Sequence, residues 1–445
     1  QGETMHVTLV TTDEGAREER QAWAIVDGVF LVAEPKTVLQ EAIVAVKKGG
    51  VAEPIAQHPS FVSLYRNSPD THVLVHVGLD AIVAPIVSWL ESTEGRTDEE
   101  GNPTGPAAKL AQFGLTPQGL FHALGLDALR SFDCSLVFRP RETVLEGDFT
   151  WTEQRGLLRM MAIGEPPVPL PDFIPDTWVS VSVDNFSLRE AYQALMSTLA
   201  DVSPMIDGMV RQQIKAMNTQ LGIDLERGLF GSLGDVRITG YAPATGAPTP
   251  EQPMDQFFAL ALSNPDDFRS TLDTLIGRTP LAQMMQQREY LGESIRTMDL
   301  PNGKSIALSV TRGYLFVSVG GSAMVESAIQ GLQGGAARPF WKKAEVARAL
   351  GTLPDGASSI AVADLAQMIG MIADLLVESA ARQPQEEAGG EMEEGEETGE
   401  STPVMIDPSA RPPAETIQKY WSMMASAVYR TRNGFHFLLK TDHHE

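Results

Sequence analysis

The chain has 445 residues, 43% apolar and 21% charged, with 39 Gly and 29 Pro, the composition of a globular protein of roughly two to four domains. Its 34 Lys and Arg stand against 58 Asp and Glu, and the resulting net charge of −24 repels phosphate backbones and anionic lipid, which argues against nucleic acid as a partner. The most apolar stretch, 73–90, carries His76 and Asp80 and is broken by Pro85, so no transmembrane segment is expected; the single Cys134 can form neither an intramolecular disulfide nor a thiolate metal site.

Residues 22–43 read as strand, tight turn at Gly28, strand and helix, with Leu39, Ala42, Ile43 and Val46 at helical spacing. Pro69 and Asp70 lead into a strand at 72–77 and an apolar helix. Segment 91–106 is acidic and bears Gly and Pro, the composition of a mobile loop. A helix and an antiparallel hairpin over 134–151 follow. Trp178 to Val183 then alternates as a strand, and Ser187 with Glu190 forms a capping box ahead of Leu188, Ala191, Tyr192, Leu195 and Leu199. In the next helix Val210, Ile214, Met217 and Leu221 line one face, and Gly222 sits at its stop. Strands at 236–241 and 257–262 flank a Pro-rich turn, Ala242 to Pro253. Asn264 and Pro265 open a helix striped by Phe268, Leu272, Leu275 and Ile276. Residues 306–329 again read strand, turn at Gly313, strand and helix, with Val325, Ala328, Ile329 and Leu332 on one face. A strand at 358–362, an apolar helix, an acidic disordered loop over 383–413, a helix and a hairpin to residue 442 complete the chain.

Set against itself, the chain repeats at an offset of about 285 to 290 residues, the mark of a duplicated unit. Ala22 to Ile43 resembles Ile306 to Ile329, Pro69 and Asp70 fall on Pro354 and Asp355, both copies dissolve at an acidic loop, and each ends in a hairpin. Residues 1–165 are expected to form a first unit lacking its opening half, and 166–445 a complete second unit; a longer native precursor would account for the difference. The fold class expected is α+β, a broad antiparallel sheet in each unit with helices packed on it.

Candidate chemistry is sparse. Arg139 and Arg141, with Arg430 and Arg432, are the ligand-binding candidates: each pair has spacing two beside a hairpin turn, which could hold a carboxylate or phosphate bidentately, against the plainer reading of salt bridges to sheet neighbours. His72 and His76 share a strand face but stand roughly 13 Å apart at about 3.3 Å per residue, too far for one metal ion, and read as partly buried histidines. Gly320, Gly321 and Ser322 open a helix and read as a cap rather than an anion site. Asp442, His443, His444 and Glu445 read as a solvated tail, and Cys134 as core packing. No hydrolase elbow, zincin helix, phosphate loop, dinucleotide fingerprint or Cys-x-x-Cys occurs, so no catalytic residue, metal or cofactor is assigned.

The succession PLPDFIPDTW, LGIDLERGLFGSLGD and VTRGYLFVSVGGSAMVESAI, with LGLDALRSFD and RGLLRMM, resembles domain-of-unknown-function family 3352, a family of exported bacterial proteins. The resemblance spans nearly the whole chain and rests on turn glycines and apolar patterning. It implies a protein of the periplasm or cell surface with an export signal ahead of Gln1. The expected function is a non-enzymatic envelope protein, a binding or structural module that self-assembles or meets other envelope proteins. The alternatives are a carrier of lipid or another hydrophobic ligand, with Met196, Met205, Met209 and Met217 over a curved sheet, and an envelope hydrolase.

Overall fold

Segments of period-two alternation joined by short turns form two antiparallel sheets in the computed structural model. It describes residues 4–11, 17–27, 29–34, 36–48, 71–98, 100–161, 163–245, 253–300, 303–335, 338–382 and 413–442. The chain divides into two units, Gln1–Pro69 and Asp70–Glu445.

In the first unit β1 (Met5–Thr11), β2 (Arg17–Val26) and β3 (Val29–Ala33) form a meander. Helix Lys36–Lys48 packs on one face of it, burying Leu39 and Ile43 against Ala22, Ala24 and Val26. The helical spacing read from the sequence is therefore the spacing that packs.

The second unit is built on a 13-stranded sheet. Its strands are β4 (Val73–Gly78), β5 (Leu129–Phe138), β6 (Glu142–Trp151), β7 (Ser180–Asn185), β8 (Leu233–Pro243), β9 (Met254–Leu262), β10 (Met285–Tyr290), β11 (Glu293–Asp299), β12 (Ser305–Val310), β13 (Tyr314–Val319), β14 (Ser359–Asp364), β15 (Met423–Thr431) and β16 (Gly434–Asp442). The spatial order is β10-β11-β12-β13-β9-β8-β7-β14-β15-β16-β6-β5-β4, antiparallel throughout. The expected α+β class with a broad antiparallel sheet is what forms. The expected division at 165/166 falls inside this unit, because β6 pairs along its whole length with β16.

The last six strands run in mirror order, β14-β15-β16 followed by β6-β5-β4. Their registers match: Leu136 pairs with Leu145 as Val428 pairs with Phe437, and Val73 pairs with Leu136 as Ser359 pairs with Val428. The two hairpins meet antiparallel around the Glu146–Leu438 pair.

One sheet face carries the main core. Val181, Val183, Ile238, Phe257, Ala259, Ile295, Ala307, Phe316 and Val362 meet helix Ala323–Leu332 and the segments around Trp178 and Phe340. Gly240 belongs to this packing, since a Cβ there would fall 2.3 Å from the Trp178 ring. On the other face helix Pro265–Gly277 buries Phe268 and Ile276, and Phe268 packs with Leu233, Leu262 and Val310. The caps form as read: Ser187 Oγ accepts from Glu190 N–H, Asn264 from Asp267 N–H, and Gly222 ends helix Pro204–Leu221 in the left-handed conformation at φ 64°.

Two expectations change. Segment 91–106 is a hydrogen-bonded loop, closed by a Thr97–Pro103 bridge and by Asp98 Oδ1 accepting from the Glu100 and Asn102 amides. The acidic side chain serves the turn instead of leaving it open. The methionines do not form a shared apolar cover: Met196 is buried, but Met205, Met209 and Met217 are exposed, because helix Pro204–Leu221 buries none of its residues. The acidic loop 383–413 lies, but for Pro413, outside the described residues, as does most of the 242–253 turn.

Candidate functional site

Strand β5 inverts the usual pattern, burying Ser131, Asp133 and Ser135 while Phe132, Cys134 and Leu136 are half-buried. Directly opposite residues of adjacent antiparallel strands share a face, with Cβ atoms about 5 Å apart. His76 on β4 is opposite Asp133, Asp133 opposite Asp148 on β6, Asp148 opposite His436 on β16, and His436 opposite Tyr429 on β15. The result is one polar row across five strands, on the face that holds the main core farther along the sheet.

Within the row, His76 Nδ1 lies 2.5 Å from Asp133 Oδ1, and both side chains are under a tenth exposed (8% and 9%). Ser131 Oγ donates to Asp133 Oδ2 at 2.7 Å and lies 2.9 Å from Thr150 Oγ1. At the other end His436 Nδ1 lies 3.2 Å from Asp148 Oδ1, with 32% and 45% exposure. The Asp148 hydrogen bond pushes the His436 pKa above its ordinary value against the opposing effect of burial, and the charges of Asp148 and Glu146 add to the rise. Tyr429 OH donates to Pro354 O at 2.8 Å, and burial, then the Asp355 charge, raise its pKa.

The row thus sets two facing carboxylates between two imidazoles, each imidazole within hydrogen-bond distance of one carboxylate. Ser131 in the row gives its hydroxyl proton to Asp133. Among the described residues no group of three His, Cys, Asp or Glu is placed to hold a metal ion.

The arginine candidates line two cavities. Arg430 and Arg432 border one of about 320 Å3 with Trp151, Gln154, Glu165 and Thr431. Arg139 and Arg141 border another of about 430 Å3 with Glu142 and Asp442. Arg430 is ion-paired with Glu165 at 2.8 Å, and Arg139 with Glu142. The pairs are one step out of register, because Arg139 N–H donates to Glu142 O beyond the Phe138–Thr143 pair, whereas Arg430 itself pairs with Phe435. A third cavity of about 430 Å3 is bordered by Glu345, Asp364, Gln367, Gln418, Trp421 and Met423.

The remaining candidates are built into the fold. His72 Nδ1 accepts from Phe138 N–H at 3.1 Å. Burial raises the Cys134 thiol pKa. The Gly320 turn faces the Asp255 carboxylate, 1.9 Å from where a Cβ would sit, and Ser322 Oγ donates to Glu326 Oε1 at 2.7 Å. Resident carboxylates at that helix start oppose a second anion. His443, His444 and Glu445 lie outside the described residues.

Sequence reasoning missed Asp133, Asp148, His436 and Tyr429. The inverted alternation of SFDCSLVF, with Ser131, Asp133 and Ser135 at buried positions beside the buried Val137, was the available signal. Comparison with family models, with curated proteins and with solved structures finds no match to this chain.

Proposed function

We propose that the chain is a non-enzymatic binding or structural module of the bacterial cell envelope, built from two related α+β halves. The observation that carries the binding role is the apolar surface at the β4 end of the sheet. Ile82 (49% exposed), Ile86 (42%) and Trp89 (57%) recur at helical spacing on helix Leu79–Glu91, which follows directly on the strand of exposed Val73 and Val75. On a chain of net charge −24, exposed large apolar side chains grouped in this way mark a protein interaction surface. The mirror order of β14-β15-β16 and β6-β5-β4, with matched registers, supports descent of the halves from one duplicated unit. Export rests on the family resemblance and fits a chain with one cysteine.

Native mass spectrometry of protein purified from its source tests this reading. A stoichiometric protein partner or a homo-oligomer is the expected result. A bare monomer overturns it, and a mass released as lipid on denaturation favours the carrier.

A further inference from the structure

The two outer edges of the 13-stranded sheet differ in chemistry. The β10 edge reads Met-Gln-Gln-Arg-Glu-Tyr, with Arg288 ion-paired to Glu326. Charges of this kind keep an exposed edge from recruiting another strand. The β4 edge reads Val-Leu-Val-His-Val-Gly, with no Lys, Arg, Asp, Glu or Pro. Val73 and Val75 are exposed there, and among the described residues β4 is the last strand in the sheet order.

The same sheet contains the matching strand with its outer edge filled. β14 stands to β15 as β4 stands to β5, down to the strand entry: His72 N–H donates to Leu136 O at 3.0 Å, and Ser358 N–H to Val428 O at 2.8 Å. On its far side β14 pairs with β7, Ser359 opposite Asp184, Ala361 opposite Ser182 and Ala363 opposite Ser180, and Asn185 N–H donates to Ser358 O. Val73, Val75 and Val77 occupy the places of Ser359, Ala361 and Ala363.

We infer that the outer edge of β4 is a docking site for one further antiparallel strand of β7's chemistry, an extended segment alternating aliphatic and small polar residues, supplied by a partner polypeptide. The inference rests on the interaction-surface reading above and names the mode of contact. Main-chain hydrogen bonds would give the affinity, and the pleat would set the register, with aliphatic residues opposite Leu74 and His76, as Val183 and Val181 stand opposite Ile360 and Val362.

The test adds a synthetic peptide of the β7 sequence, Thr177 to Phe186, to the full chain and reads amide hydrogen exchange. Exchange is expected to slow at 72–78 and stay unchanged at 285–290. Val75→Lys, with Val73→Lys as a second variant should the first fold poorly, is expected to weaken peptide binding about fivefold or more, while Gln287→Lys on β10 leaves it unaltered. No slowing at β4, or equal slowing at both edges, overturns the inference. A peptide-free dimer whose β4 amides are already protected overturns it in favour of a second copy as occupant. If β4 stays unprotected while native mass spectrometry still finds a stoichiometric partner, the strand inference falls and the binding-module reading stands.

Discussion

Asp133 is the residue on which the polar row turns, because it is buried, bonded to His76 and Ser131, and faces a second carboxylate. The matched position in the mirrored half shows the alternative: His76 opposite Asp133 corresponds to Val362 opposite Ala425, both fully buried. Removing one member of a buried pair leaves an uncompensated polar group, so Asp133→Ala should cost about 3 kcal/mol in urea unfolding. The double change His76→Val with Asp133→Ala copies the apolar pair and should restore stability to within about 1 kcal/mol of the parent or exceed it. A double variant as unstable as the single one would mean that the row supports more than its own pair.

His436 gives a pH dependence with a definite sign. Its folded pKa is raised by Asp148 above an ordinary value near about 6.5. The stability it contributes is therefore fully present below that value and is lost as pH rises through the folded pKa. Imidazole proton NMR should show the elevated titration, and Asp148→Asn should bring it down and flatten the stability profile above the ordinary histidine value. An unchanged His436 titration in that variant would remove Asp148 as the cause.

At the scale of elements, close approach decides more than propensity does. Trp178 packs closely on Gly240 of β8 and, at 4.8 Å between ring centroids, against Phe257. Gly240→Ala should lower stability by about 1–3 kcal/mol, read from the denaturation midpoint, because neither the indole nor the strand has room to retreat. The hairpin β5–β6 uses the same device, since a Cβ on Gly147 would fall 2.6 Å from the Phe437 ring and 2.1 Å from Asp133 O. The elements themselves were legible: the helices at 36–48, 188–202, 204–221, 265–277 and 323–332 carry the spacing read from the residues, and Gly222 ends the third of them. Loop 91–106 was not, because an acidic composition does not reveal that Asp98 would spend its oxygens on nearby amides.

Taken whole, the molecule joins a strong negative charge to an apolar sheet end. Self-repulsion from a net charge of −24 opposes the folded state. Raising sodium chloride from about 10 mM to about 0.5 M shortens the screening length from about 30 Å to under about 5 Å, so the melting temperature should rise with salt. A melting temperature that falls with salt would mean that local ion pairs, such as Arg237 with Asp184, outweigh the net repulsion. The same repulsion raises the cost of assembling copies and fits the choice of a partner polypeptide for the β4 edge.

The sequence by itself determined the local structure, because periodicity, caps and turn residues act within a few positions of one another. Only the tertiary structure decided which distant residues became neighbours. His76, Asp133, Asp148 and His436 lie far apart along the chain and meet because strand order and register bring them opposite one another. The same pairing put β6 against β16, leaving β4 as an uncharged outer edge. Neither fact is local, since the energy that selects a register is summed over whole strands and the faces they bury.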